Sequence, residues 1–187
     1  RLSSPINNKI QAFPYKTWMN EFKIAKDLGL GCIEWIYEHQ NKDHNPICSN
    51  KGIKELKDLS RKHNISINSL VADNFMKDPL CNTNSTILNR SIDLLMYLIE
   101  QCSKAGIKMV ELPLMGKTSI HNKNNRNELI INIKAALDYA KERNIKIVFE
   151  TDLPPSDFLD FILKLNHPAV GVNYDMGNSA MFGFDPK

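Results

Sequence analysis

The stretch KIVFETDLPP, residues 146–155, is a short apolar run that ends on Glu150 and passes at once into a proline-containing loop. Its apolar residues are consecutive rather than alternating, the pattern of a strand covered on both faces in a helix-packed parallel sheet. A carboxylate at the end of such a strand is costly to bury without a partner. The arrangement recurs one supersecondary unit later in AVGVNYDMGNSA, residues 169–180, where an apolar run stops at Asp175 and a polar segment follows. A lone aspartate in that place ordinarily serves a turn or a helix cap. A pair of acids at equivalent strand ends raises the further question of whether they face one another.

Working outward, helical and extended patterns alternate along the whole chain. The spacing predicts a helix over 17–28 with Trp18, Phe22 and Ala25 on one face, then the strand GCIEWIY. A helix over 50–62 carries Ile53, Leu56 and Leu59 and precedes the strand ISINSLVAD. A long helix over 85–104 turns Leu88, Ile92, Leu95, Ile99 and Cys102 inward, breaks at Ala105-Gly106 and leads into IKMVELPL. The spacing predicts one further helix over 127–143, with Asn144 as breaker, and another over 155–165, closed by AVGVNYD as the last strand. Five helix–strand repeats without a linker predict one parallel α/β domain. Two architectures meet this description, an open doubly wound sheet and a β/α barrel. Neither G-x-G-x-x-G nor G-x-x-x-x-G-K-[ST] follows any strand, so the nucleotide-binding open sheets lose their main support.

Composition excludes several function classes. The 187 residues carry 24 Lys plus Arg against 21 Asp plus Glu, and the basic residues are dispersed, which argues against a nucleic-acid partner. Cys32, Cys48, Cys81 and Cys102 lie far apart and form no C-x-x-C pair, as expected of reduced thiols. There is neither a membrane-length apolar run nor an apolar leader, so a cytoplasmic protein without a membrane partner is the expectation. No G-x-S-x-G or H-E-x-x-H occurs, and the five histidines fall in loops or helix ends, where solvated roles are expected. Trp35, beside a strand end, reads as core, with the wall of a pocket as its alternative role.

The acids supply the positive evidence. Asp73, Glu111, Glu150 and Asp175 stand at or beside strand C-termini, whereas Glu34 and Glu38 read better as structural residues. In a barrel all C-terminal strand ends open on one mouth, where side chains of different strands converge. Carboxylates gathered there repel one another and raise each other's pKa, which a divalent cation relieves.

The segments QAFPYKTWMNEFKIAKDLGLGCIEWIYE, NPICSNKGIKELKDL, NSLVADNFM, AGIKMVELPLM, IVFETDLPP and VNYDMGNSAMFGFDP resemble the sugar-phosphate isomerase/epimerase group of xylose-isomerase-like TIM barrels. The resemblance implies a (β/α)8 TIM barrel, represented by about strands 2–6 with their helices. Residues 1–187 would form a single partial domain lacking most of the first strand, whose exit is expected at Arg1-Leu2-Ser3, and the last two β/α units. A remnant of that kind is expected to self-associate through its open edges.

The resemblance further implies one divalent ion, Mn, Mg, Co or Zn, held by a glutamate, an aspartate, a histidine and a second glutamate. Glu150 and Asp175 match the first two, and the others would belong to units beyond Lys187. Glu150 would then be the base that forms a cis-enediolate from a ketose or ketose phosphate, with Glu111, Asp73 and Asn178 in reach of the substrate. A related polyol or inosose dehydratase, and an inactive barrel used as a binding protein, are the alternatives. Asn178 departs from the histidine that several ketose epimerases and the endonuclease IV branch carry at that spacing, and Asp73 and Glu111 stand where a three-zinc nuclease would need histidines, which argues against DNA repair.

Overall fold

The computed structural model describes residues 2–6, 8–9 and 11–185. Arg1, the start of the expected first-strand exit, lies outside them, while Leu2 packs against the core. The chain runs α1 (Trp18–Asp27), β1 (Cys32–Tyr37), α2 (Asn50–His63), β2 (Ser66–Ala72), α3 (Ser85–Ala105), β3 (Met109–Leu114), α4 (Lys123–Asn132), α5 (Lys134–Glu142), β4 (Lys146–Thr151), α6 (Pro155–Leu165), β5 (Val170–Val172) and α7 (Met176–Met181). Short 3-10 turns occupy several of the loops.

The five strands are all parallel and lie in sequence order, β1-β2-β3-β4-β5. A doubly wound sheet reverses its order at a switch point, so the absence of any reversal decides for the barrel, present as an open arc with β1 and β5 at its edges.

The two faces of the arc differ in chemistry. One cross-strand row, Trp35, Leu70, Val110 and Ile147, is buried throughout and belongs to the apolar core under the helices. The row beside it, Ile36, Val71, Glu111, Val148 and Gly171, points the other way, because successive strand residues alternate between faces. Glu150, two residues beyond Val148, stands on that same face.

The helices start and stop where the sequence signals them. Ser49 caps α2 by accepting from Gly52 N at 3.0 Å, and Asn84 caps α3 by accepting from Ile87 N at 3.0 Å. Asn64, Gly106 and Asn166 end α2, α3 and α6 in the left-handed conformation. Two expectations need correction. The helix predicted over 127–143 begins earlier, at an Asn122 cap, and is divided into α4 and α5 at Ile133. No proline or glycine stands there; the backbone at this fully buried residue departs from helical ψ (φ −87°, ψ −8°) while its helical hydrogen bonds to Leu129 and Leu137 persist. The last strand is also shorter than AVGVNYD. It pairs with β4 only as far as Val172, and after Asn173 N donates to Phe149 O the chain departs, so Asp175 belongs to the next helix.

Gly52 gives a test of the packing between α2 and the turn before it. A methyl group there would come within 2.2 Å of Pro46 O and 2.5 Å of Pro46 Cα. Glycine to alanine inside a helix ordinarily gains about 0.5–1 kcal/mol. Gly52→Ala is expected to do the reverse and destabilise by about 1–3 kcal/mol through overpacking against backbone. A urea midpoint equal to or above that of the parent would disprove this close approach.

Candidate active site

Glu150 is the fifth residue of β4 and Glu111 the third of β3, so Glu111 sits within its strand rather than at the C-terminal end expected for it. Glu111 pairs in register with Val148, two residues before Glu150, which makes the two acids diagonal neighbours on the open face. Both are buried, at 5% and 8% exposure, and their carboxyl groups share a hydrogen bond. Burial, followed by the charges of Glu34 and Glu150, pushes the Glu111 carboxyl up to about 8. Burial also raises Glu150, against the lowering effect of the hydrogen bonds from Glu111 and Asn178.

The next β/α unit grips both acids. Asn173, just after β5, donates its Nδ2 to Glu111 Oε2 at 2.8 Å, and Asn178, in α7, donates its Nδ2 to Glu150 Oε1 at 2.6 Å. Asp175 is the N-cap of α7, with Oδ1 accepting from Asn178 N at 2.8 Å. The modest reading of Asp175 as a cap therefore holds, and it is compatible with a second role, since Oδ2 takes part in no hydrogen bond among the described residues. Glu150, Asp175 and Asn178 line one cleft, whose other wall is apolar and includes Leu153, Phe158, Ile162 and Val172.

Asp73 stands apart from this group. It follows β2 directly, and the charges acting on it are those of Glu38, Lys77 and Lys9; burial, then Glu38, raises its pKa. Glu34, read as structural, is on the side of the site instead. It accepts from Ser69 Oγ at 2.5 Å, and its charge reaches both Glu111 and Glu150. The counter-example is Glu38, which is buried and accepts from Phe13 N at 3.0 Å, a structural role as expected. Trp35 is core, with Nε1 donating to Asn45 Oδ1 at 2.9 Å. Among the histidines, His167 is less solvated than expected, with its side chain 16% exposed beside Asp138. Asn173 is the residue that sequence reasoning missed, although it stands in the same run as Asp175 and Asn178.

The donor chemistry fits a hard divalent cation, since Glu150 and Asp175 offer carboxylate oxygens to one cleft where a positive charge would offset mutual repulsion. Among the described residues no group of three or more His, Cys, Asp or Glu is disposed to hold a metal, so these two would need further ligands. Nor is any described helix long and apolar enough to cross a membrane.

Comparison with known proteins follows the same line. The family model for xylose isomerase-like TIM barrels matches residues 22–187. No curated protein matches the chain. Among solved structures, a xylose isomerase-like TIM barrel protein from Mycobacterium smegmatis in complex with magnesium is similar with a TM-score of 0.64 at 17% identity, over 88% of this chain and 58% of that one. The IOLI protein with a bound zinc atom gives 0.71 at 17% identity, over 89% and 60%. D-psicose 3-epimerase from Clostridium cellulolyticum H10, solved with D-tagatose, gives 0.73 at 14% identity, over 91% and 61%. The chain thus spans about three fifths of the length of these structures.

Proposed function

From the premise that this chain belongs to the xylose isomerase-like TIM barrel family, we propose that it contributes the base and two metal ligands of an isomerase or epimerase acting on a ketose or ketose phosphate. The observation that carries this reading is the buried Glu111–Glu150 pair on the open face of the sheet, held by Asn173 and Asn178 beside Asp175. The magnesium and zinc of two similar structures and the sugar of a third support it.

Glu150 and Asp175 would hold the cation, which when bound supplies polarisation of a carbonyl and stabilisation of the negative charge that develops beside it. The chain's own groups do the rest. Glu150 takes the proton from the carbon next to the carbonyl. Asn178 fixes one of its oxygens and so limits the directions in which the carboxylate can face. Glu111 and Asn173 present hydrogen-bonding groups suited to sugar hydroxyls. Leu153, Phe158 and Ile162 add apolar surface to the same cleft.

Asp175→Asn tests the metal assignment without disturbing the helix, because asparagine caps as well as aspartate does. It is expected to lower Mn²⁺ affinity, followed by electron paramagnetic resonance of the free ion, at least about tenfold. Unchanged affinity with an intact fold would remove Asp175 from the ligand set. Turnover of ketoses and ketose phosphates with added Mn²⁺, read by incorporation of deuterium from deuterated water at the carbon that lost its proton, tests the reaction class.

A further inference from the structure

Asp152, two residues beyond Glu150, is not used by the proposed chemistry, yet its side chain is only 12% exposed and every partner of it lies in one loop. Its Oδ2 accepts from Gly116 N at 3.2 Å, its Oδ1 accepts from Ser119 Oγ at 2.6 Å, and His121 Nε2 stands 3.6 Å from the same Oδ1. All three belong to the connection between β3 and α4. Within that connection Thr118 Oγ1 donates to Met115 O at 3.2 Å and His121 N donates to Ser119 Oγ at 3.4 Å, which ties residues 115–121 to one another as one body. Two hydrogen bonds from the loop thus converge on the two oxygens of one side chain.

The first residue of the body, Met115, reaches the site. Its sulfur lies 3.8 Å from Asn178 Nδ2, the same nitrogen that donates to Glu150 Oε1 at 2.6 Å. The carboxamide is therefore enclosed between a carboxylate and a thioether. α7 is a helix of only 6 residues with no buried member; its hydrogen bonds to Asp175 and Phe182 fix the Asn178 backbone, whereas among the described residues the Asn178 carboxamide meets only Glu150 and Met115. If the loop lifts from β4, the sulfur retreats and the carboxamide is free to turn toward water.

We propose that Asp152 is a positioning residue: it clamps the 115–121 loop to β4, and the loop, through Met115, keeps Asn178 aligned on Glu150. This rests on the reading of Glu150 as base, and the two are separable because the alignment of Asn178 can be observed without turnover.

The experiment follows the side-chain amide protons of Asn178 by ¹⁵N-resolved nuclear magnetic resonance, the pair being assigned by its disappearance in Asn178→Asp. In the parent this pair, bonded to the Glu150 carboxylate, is expected to be shifted from the position of a solvated amide and to exchange slowly with water. Asp152→Ala is expected to move it toward the position of a solvated amide and to speed its exchange about tenfold, the factor commanded by one lost hydrogen bond of ordinary strength. Asp152→Asn, which keeps a single acceptor, is expected to fall between the two. Ser119→Ala removes one hydroxyl from a half-buried site and serves where Asp152→Ala does not fold; it should shift the pair in the same direction by a smaller amount. If turnover is measured, kcat should fall with KM little changed. An Asn178 signal that ignores both Asp152→Asn and Ser119→Ala overturns the clamp. A signal that responds while kcat does not move supports the clamp and tells against Glu150 as base.

Discussion

Replacing Glu150 with glutamine is expected to cut turnover by about 10²–10⁴-fold, the usual contribution of a positioned base. The substitution is nearly isosteric, and a glutamine oxygen still accepts from Asn178, so the helix that carries Asn178 and Asp175 has no reason to move. What disappears is the negative charge and the ability to hold a proton. Divalent-cation affinity should therefore fall together with the rate, whereas the melting temperature should not drop, since a buried carboxylate with a raised pKa is itself a burden on the fold. Near-normal rates in Glu150→Gln would remove Glu150 as the base, however well the fold agrees.

The second large effect concerns stability against pH and centres on Glu111. Its carboxyl titrates at about 8 in the folded protein, against 4.5 for the ordinary group. Between those two values the folded state holds a proton that the unfolded chain has released. The unfolded state thus binds fewer protons, and stability falls as pH rises from about 4.5 through about 8. Each unit of separation is about 1.4 kcal/mol, so the whole displacement is large on the scale of a small domain's stability.

Glu111→Gln replaces the protonated acid by an amide that still accepts from Asn173 and can donate to Glu150. The variant is expected to melt at a temperature similar to that of the parent at pH 5 and above it at pH 8.5, with a flatter dependence between. Glu150 shifts in the same direction and keeps part of the slope in both proteins. Parallel curves for Glu111→Gln and parent would show that the Glu111 carboxyl does not ionise at the expense of the fold.

Much of this molecule was legible in its residues, for reasons that differ from element to element. α1, α2, α3 and α6 could be placed from apolar spacing, and three of them end on Asn64, Gly106 and Asn166, which enter the left-handed region readily. The break at Ile133 was hidden, because the apolar spacing runs through it unbroken from Leu129 to Ala140. The end of β5 was hidden too, since a local pattern shows apolar residues but not how far a neighbouring strand extends to pair with them. Within the site, Glu150 was readable because a charge interrupts an apolar run. The side on which Glu34 falls depends on the register shift between Ile33 and Trp35 in the pairing of β1 with β2, which no local pattern reveals. Asn173 was overlooked for a related reason: an asparagine after a strand suggests a turn, and its hold on Glu111, 62 residues away, is set by tertiary contact alone.

The unbroken order of the five strands bears on how such a centre could be inherited. Glu111 comes with the third strand, Glu150 with the fourth, and the asparagines that grip them with the fifth and its following helix. Each acid and its keeper thus travel in different modules of the chain. A crossover between the fourth and fifth modules would deliver a scaffold that still folds around two ungoverned carboxylates, so descent of this chemistry requires that the modules be passed on as a block.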